Sequence, residues 1–281
     1  MLDLLYELRD QQTPLILGGG YGLYLKQVHL QDTLSGRTLI AGGMWPAPRG
    51  TEDMDILLQT EVVVDAKRMG LIRAVLDRLG YAAVSGAKYM QFVKQLGEGR
   101  IVKVDLLTGP LGPLADDPRV KADNRRVRPR PSVNLHARRA DEALGFQQDT
   151  MTIPVTGTLS SGDIYEATVH VPPAFTLLLM KLHAFRDRWS DVDKDLARHH
   201  ALDIYRIVAM MTEQEFEQTR RQVAQYQNHS AVVEAVRIAR EHFASDESLG
   251  LLRLREHALW DERMAVAEFL SALKDLFRRA E

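Results

Sequence analysis

The chain has 281 residues, 45% apolar and 26% charged, and its 36 Lys and Arg nearly balance 38 Asp and Glu for a net charge of −2. This composition reads as a soluble globular protein with room for two modest domains, and it excludes a disordered chain and a whole-surface attraction to nucleic acid, so any RNA contact must come from a local basic patch. With no cysteine, disulfides and thiolate metal sites are excluded; no uncharged run approaches the roughly 18 residues of a bilayer span, no secretory pattern opens the chain, and a cytoplasmic protein with no membrane partner is expected.

In chain order, apolar residues at 2, 4, 5 and 8 predict a helix over 2–10 that covers a sheet, closed by Thr13-Pro14. Leu15-Ile16-Leu17 predicts a short strand that ends in Gly18-Gly19-Gly20-Tyr21-Gly22, and a helix follows over 23–30. Residues 31–48 hold Ser35-Gly36, Gly42-Gly43 and Trp45-Pro46-Ala47-Pro48, which is breaker chemistry and predicts a loop or hairpin beside the site. Trp45 there either packs the loop down or stacks on a nucleobase. Arg49-Gly50-Thr51-Glu52 then leads into the apolar run Asp53-Met54-Asp55-Ile56-Leu57-Leu58, a second strand.

An amphipathic helix over 64–79 with Gly80 as its stop comes next, then short strands near 81–84 and 89–94, and Gly97-Glu98-Gly99 leads into the strand Ile101-Val102-Lys103-Val104-Asp105-Leu106-Leu107. Residues 119–139 carry Lys121, Arg125, Arg126, Arg128, Arg130, Arg138 and Arg139 against Asp123, an excess that either holds RNA phosphates or pairs with neighbours such as Asp116 and Asp117. Two β-like pieces at 150–155 and 165–171 precede a helical half. Its first helix has a core stripe of Phe175, Leu178, Leu179, Leu182 and Phe185, with Lys181 off that stripe; the next, to 211, buries Ala197, His200, Ala201, Ile204, Ile207 and Val208 and turns Asp195, His199 and Arg206 away. His183, His199 and His200 lack further ligands at zinc spacing. Thr212-Glu213-Gln214-Glu215 is a capping box, and amphipathic helices over 231–243, 249–257 and 261–279 complete a bundle.

The chemistry concentrates in three places. Asp53 and Asp55, two apart on a strand, share one face, and two convergent carboxylates suit Mg²⁺, a hard ion usually held by carboxylates and substrate phosphates. The glycine run before a helix lets backbone N–H groups approach a phosphate. Asp105 inside an apolar strand costs several kcal/mol unless it is paired or ligates a metal.

These segments resemble the nucleotidyltransferases of the DNA polymerase β type, whose signature is a glycine pair, an Asp-x-Asp and a third Asp on a later strand. Within them the match is to the abortive-infection toxin group, the AbiEii family: Gly18-Gly19-Gly20-Tyr21-Gly22-Leu23 stands for Gly-Gly-x-x-Ala-Leu, Arg49 to Asp55 for Arg-x-Thr-x-Asp-x-Asp, Lys181-Leu182-His183-Ala184 for the Lys-x-x-Ala stretch, and Lys194-Asp195 with Asp203 for a further Asp motif. Gly22 departs from the family's Ala, and 31–48 is longer than its usual link.

The resemblance implies an α+β fold, with a small mixed-sheet nucleotidyltransferase domain over 1–165 and an all-helical domain over 166–281 completing the cleft. It implies transfer of NMP from an NTP to an acceptor hydroxyl by a transferase of the EC 2.7.7 type, the acceptor being an RNA 3′ end such as that of tRNA and the protein the toxin of a toxin–antitoxin pair with a cognate antitoxin as partner. Asp53, Asp55 and Asp105 would bind two Mg²⁺ ions, with Mn²⁺ as a substitute, and Asp105 would help deprotonate the acceptor. Gly18, Gly19 and Gly20 would cradle phosphate, Lys181 would neutralise the triphosphate, and Arg49, Thr51 and Asp195 would contact substrate or orient Lys181. The competing readings are a small-molecule nucleotidyltransferase of the antibiotic-modifying kind and a non-catalytic nucleotide-binding module.

Overall fold

The computed structural model describes residues 1–11, 14–33, 37–87, 89–97 and 99–278; the expected breaks at Thr13 and Ser35-Gly36 and the Glu98 of the expected Gly97-Glu98-Gly99 turn lie outside them. The chain forms an N-terminal α/β region with a mixed sheet and a helical C-terminal region, in two compact units: Met1–Gly22 with Gly50–Pro172, and Leu23–Arg49 with Pro173–Glu281.

The first unit is built on one sheet, in the order β6 (Val120–Asp123), β7 (Arg126–Pro129), β8 (Ala137–Arg139), β5 (Ile101–Thr108), β2 (Asp53–Leu57), β1 (Ile16–Leu17), β10 (Ile164–Val171) and β9 (Met151–Thr158), with β3 (Ala82–Ala83) and β4 (Gln91–Gln95) joined to β5. β2 runs parallel to β5 and antiparallel to β1, so the sheet is mixed. Period-two alternation makes the strands two-faced. Met54, Ile56, Phe92, Val104, Leu106, Val127 and Ala137 point to one side and are all at most 3% exposed. Two helices belong to this core: α1 (Leu2–Leu8) and, after a short α3 (Thr60–Val63), α4 (Ala66–Arg78), which pack on one another. α4 starts where Asp65 accepts the backbone N–H groups of Lys67 and Arg68, the N-cap that the apolar periodicity alone did not place.

The expected boundary at 165 falls inside β10, whose buried Val169 and Val171 complete the sheet of the first unit. Residues 23–49 cluster with the helices, because the apolar Leu23 and Leu30 of α2 (Gly19–Thr33) are fully buried there. Trp45 is also buried and donates its Nε1–H to the Ile40 carbonyl at 2.9 Å, so it packs the loop. The remaining helices of the second unit are α5 (Ala174–Arg188), α6 (Arg198–Ala209), α7 (Glu213–Gln225), α8 (Ser230–His242), α9 (Leu249–Arg255) and α10 (Val266–Leu276). α7 opens on the expected capping box of Thr212 and Glu215. Among the described residues no helix is long and apolar enough to cross a membrane.

The basic stretch forms the edge strands β6 to β8. Part of its charge is neutralised locally, since Arg119 pairs with Asp117, Lys121 and Arg128 with Asp123, and Arg139 with Asp141. Just before β8, His136 is buried, its ring lies 4.6 Å from that of Tyr89, and its backbone N–H is donated to the Tyr89 carbonyl. Burial, helped by the nearby charges of Arg128 and Arg126, pushes its pKa down from 6.5 to about 4. Between those values the unfolded chain binds a proton that the folded one refuses, so stability falls as pH drops through that window. Equilibrium urea unfolding from pH 7 to pH 4 should show this decline, and His136→Gln should flatten it; an unchanged slope in the variant removes His136 as the cause.

Candidate active site

The parallel register of β2 and β5 sets Asp53 opposite Lys103 and Asp55 opposite Asp105. All four side chains therefore leave the sheet on the face opposite the apolar core. Asp53 is exposed, whereas Asp55 and Asp105 are half-buried. Thr51 Oγ1 accepts the Asp53 N–H at 3.2 Å and the Glu52 carbonyl accepts the Lys103 N–H at 3.0 Å, which fixes the start of β2 against β5.

The glycine run approaches this face closely. Gly18 donates its N–H to the Asp55 carbonyl at 2.8 Å, so its amide is committed to the strand and not to a phosphate, a correction to its expected role. Gly19 has φ +59°, and a Cβ on it would sit 1.8 Å from Asp55 Oδ2. Only glycine allows both that backbone and that contact. Gly19 and Gly20 open α2, where the first amides have no acceptor within the helix, and a carboxylate or a phosphate at such an end is favoured by the helix dipole. At Gly22 a Cβ would meet the Leu17 carbonyl at 2.1 Å, so this helix start packs too tightly on β1 for the alanine that the resembled family carries.

Lys103 was missed in the sequence, although its place two residues before Asp105 on a strand signals a shared face. Its ammonium lies 3.0 Å from Asp105 Oδ2. Burial alone would lower its pKa, but the hydrogen bond with Asp105 and the charges of Asp105, Asp53 and Asp55 outweigh it and hold the pKa up. Lys103 is thus the counter-cation of the three aspartates. Among the described residues no three His, Asp or Glu side chains converge as a ready metal cage, and Asp105 is turned toward that ammonium. Asp105 Oδ1 is buried with no hydrogen-bond partner, an acceptor whose desolvation is uncompensated and which a cation or a hydroxyl proton would satisfy.

The helical unit holds a second charged cluster. Lys181 is buried, contrary to its expected place off the core, and its Nζ donates to Asp203 Oδ2 at 2.7 Å. Arg206 is also buried where a solvent-facing side was expected; it donates to Asp203 Oδ1 at 2.9 Å and, through Nε, to Gln27 Oε1 at 2.7 Å. Arg49 Nη2 lies 3.4 Å from Asp203 Oδ2. Burial would raise the Asp203 pKa, yet the charges of Lys181, Arg206 and Arg49 hold it well below the carboxylate range. Three cations thus surround one carboxylate, and Arg206 Nη2 and Arg49 Nε are buried without partners.

Asp203, not Asp195, orients Lys181. Asp195 instead pairs with Arg198 at 3.0 Å and His199 at 3.2 Å, in a turn where Asp195, Leu196 and Ala197 all have positive φ. The signal for Asp203 was an Asp and an Arg three residues apart inside an otherwise apolar helix, a pairing that a buried helix requires. His183 donates its Nε2–H to the Ala231 carbonyl, 2.9 Å away.

No family model matches the chain, and no curated protein matches it. Among solved structures, the solution structure of the antibiotic-resistance factor ANT(2'')-Ia is similar to it at a TM-score of 0.35 and 13% identity, over 81% of this chain and 92% of that one. A superposition this loose carries no argument about activity, and the site stands on its own geometry.

Two outcomes follow from the contacts at Asp55 and Asp105. Gly19→Ala should cost about 1–3 kcal/mol in urea unfolding, because the left-handed backbone and the clash with Asp55 act together; a neutral change would refute the close approach. Lys103→Met should tighten Mg²⁺ binding about five-fold or more in calorimetric titration, since it removes the competing cation. Weaker binding would show instead that Lys103 holds the carboxylates in place.

Proposed function

We propose that the chain is a metal-dependent nucleotidyltransferase that moves NMP from an NTP to an acceptor hydroxyl and releases pyrophosphate. The observation that supports it is the β2/β5 register, which sets Asp55 beside Asp105 with Asp53 on the same face, under a glycine-opened helix. Asp53, Asp55 and Asp105 would hold Mg²⁺, or Mn²⁺ in its place, and the orphaned Oδ1 of Asp105 fits that donor set. Bound there, the ion supplies Lewis-acid polarisation and charge neutralisation at phosphate oxygens.

The protein's own groups then have distinct tasks. The Gly19 and Gly20 amides receive a phosphate oxygen at the start of α2. Asp105, half-buried and accepting on Oδ1, takes the proton of the acceptor hydroxyl. By the sequence resemblance Lys181 would offset triphosphate charge, and within the helical unit it is held, like Arg49, by Asp203. Thr51 acts by positioning Asp53. The finer reading follows the sequence resemblance: an RNA 3′ end such as that of tRNA as acceptor, and a toxin role restrained by an antitoxin.

The test is incubation with Mg²⁺, each α-labelled NTP in turn, and either total RNA or a polyamine antibiotic. Wild type should label RNA with one NTP, EDTA should stop it, and Asp55→Asn should lower the rate at least about a thousand-fold while retaining the wild-type circular dichroism spectrum. Transfer that survives Asp55→Asn or EDTA would overturn the proposal, and labelled antibiotic without labelled RNA would move the acceptor to a small molecule.

A further inference from the structure

The register that aligns the carboxylates continues across the sheet into the basic edge. Leu107, two residues beyond Asp105, pairs with Arg138 of β8; Arg138 pairs with Arg126 of β7; and Arg128 pairs with Lys121 of β6. Partners in a sheet point to the same side. Arg138, Arg126, Arg128 and Lys121 therefore leave the sheet on the face of Asp53, Asp55 and Asp105, while Ala137, Val127 and Val120 point to the buried side. With strands about 4.8 Å apart, Arg126 stands roughly 10 Å from the strand of Asp105.

We propose that this face of β6 to β8 is the acceptor-binding surface, a track for the phosphates of a single RNA strand whose end reaches the aspartates. It deepens the nucleotidyl-transfer reading and rests on it. Three observations support the assignment. First, Arg126 and Arg138 stand directly opposite each other, and like charges so placed destabilise a strand pair unless an anion offsets them. Among the described residues no carboxylate forms an ion pair with either, since Asp123, which stands opposite Arg126, is taken by Arg128 at 2.9 Å and Lys121 at 3.5 Å. Four cations thus face one carboxylate on this side of the three strands.

Second, Arg126 lines a cleft of about 450 Å³ with Ser85, Gly86, Ala87, Tyr89 and Met90. Tyr89 is half-buried and its ring is backed by His136. A fixed aromatic ring beside a guanidinium is what a splayed base of a single strand stacks on. Third, the whole chain is slightly acidic, so this local excess is not the spill of a basic surface. The same arginines would repel a polycationic antibiotic.

The surface can be tested with the full chain and a fluorescein-labelled single-stranded 20-mer RNA, read by anisotropy across a salt series, with Mg²⁺-dependent NTP binding measured in parallel. Arg126→Glu with Arg138→Glu should weaken RNA binding at least ten-fold and make the slope of log K on log salt shallower by about 1.4, two phosphate contacts on a single strand. The milder pair Arg126→Gln with Arg138→Gln should show several-fold weakening if the reversal fails to fold. Arg119→Glu, at an arginine whose guanidinium is already held by Asp117, should leave RNA binding as in wild type. A single-stranded DNA of the same sequence that is bound equally well supports recognition through phosphate.

The proposal is overturned if wild type does not bind the RNA, if both double variants bind as wild type does, or if Arg119→Glu costs as much as they do. RNA binding lost in the double variants, in a protein that binds no NTP with Mg²⁺, would uphold the surface and sink nucleotidyl transfer.

Discussion

The contact between Gly19 and Asp55 constrains the first unit more than any other single feature. A carboxylate on β2 and the first turn of α2 occupy space that leaves no room for a Cβ, and the same strand is tied to Gly18 through its backbone. Because β2 is locked to this glycine turn on one side and in parallel register with β5 on the other, the position of Asp55 relative to Asp105 follows from backbone hydrogen bonds. Side-chain rotamers adjust the carboxylates only within that frame, the kind of rigid support a reacting site requires.

The two units answer one electrostatic problem in opposite ways. In the sheet unit, three aspartates gather at one cation, Lys103. In the helical unit, three cations gather at one aspartate, Asp203. Each leaves a residual charge that its own residues do not neutralise, negative in the first and positive in the second, together with a buried donor or acceptor that has no partner. Buried polar groups of that kind are costly to folding and are few in native proteins. Those at Asp105, Arg49 and Arg206 fall inside the two charged clusters, where a ligand of opposite charge would satisfy them.

The open face of the sheet is also divided. Aspartates occupy its middle strands and arginines its edge, so one surface sets carboxylates and guanidinium groups side by side. The opposite face carries the buried apolar side chains Met54, Ile56, Phe92, Val104, Leu106, Val127 and Ala137. This separation is a consequence of the pleat: with a period of two, a strand that buries Met54 and Ile56 must expose Asp53 and present Asp55.

Local patterns in the sequence determined a good deal. The alternation in Asp53 to Leu57 and the apolar run around Asp105 predicted the two strands, and the Thr212 and Glu215 cap predicted a helix start, because these depend on neighbours within a few residues. What only the tertiary structure decided are the pairings across long separations. The register that places Lys103 among the aspartates, the burial of Lys181 and Arg206 around Asp203, and the joining of 23–49 to the helices each depend on which distant segments meet. Periodicity tells a buried face from an exposed one but prices every charge as solvent-facing, so it missed charges that are buried in company. The basic edge shows the same limit: its excess was visible as composition, and only the strand register put its arginines on the side of the carboxylates.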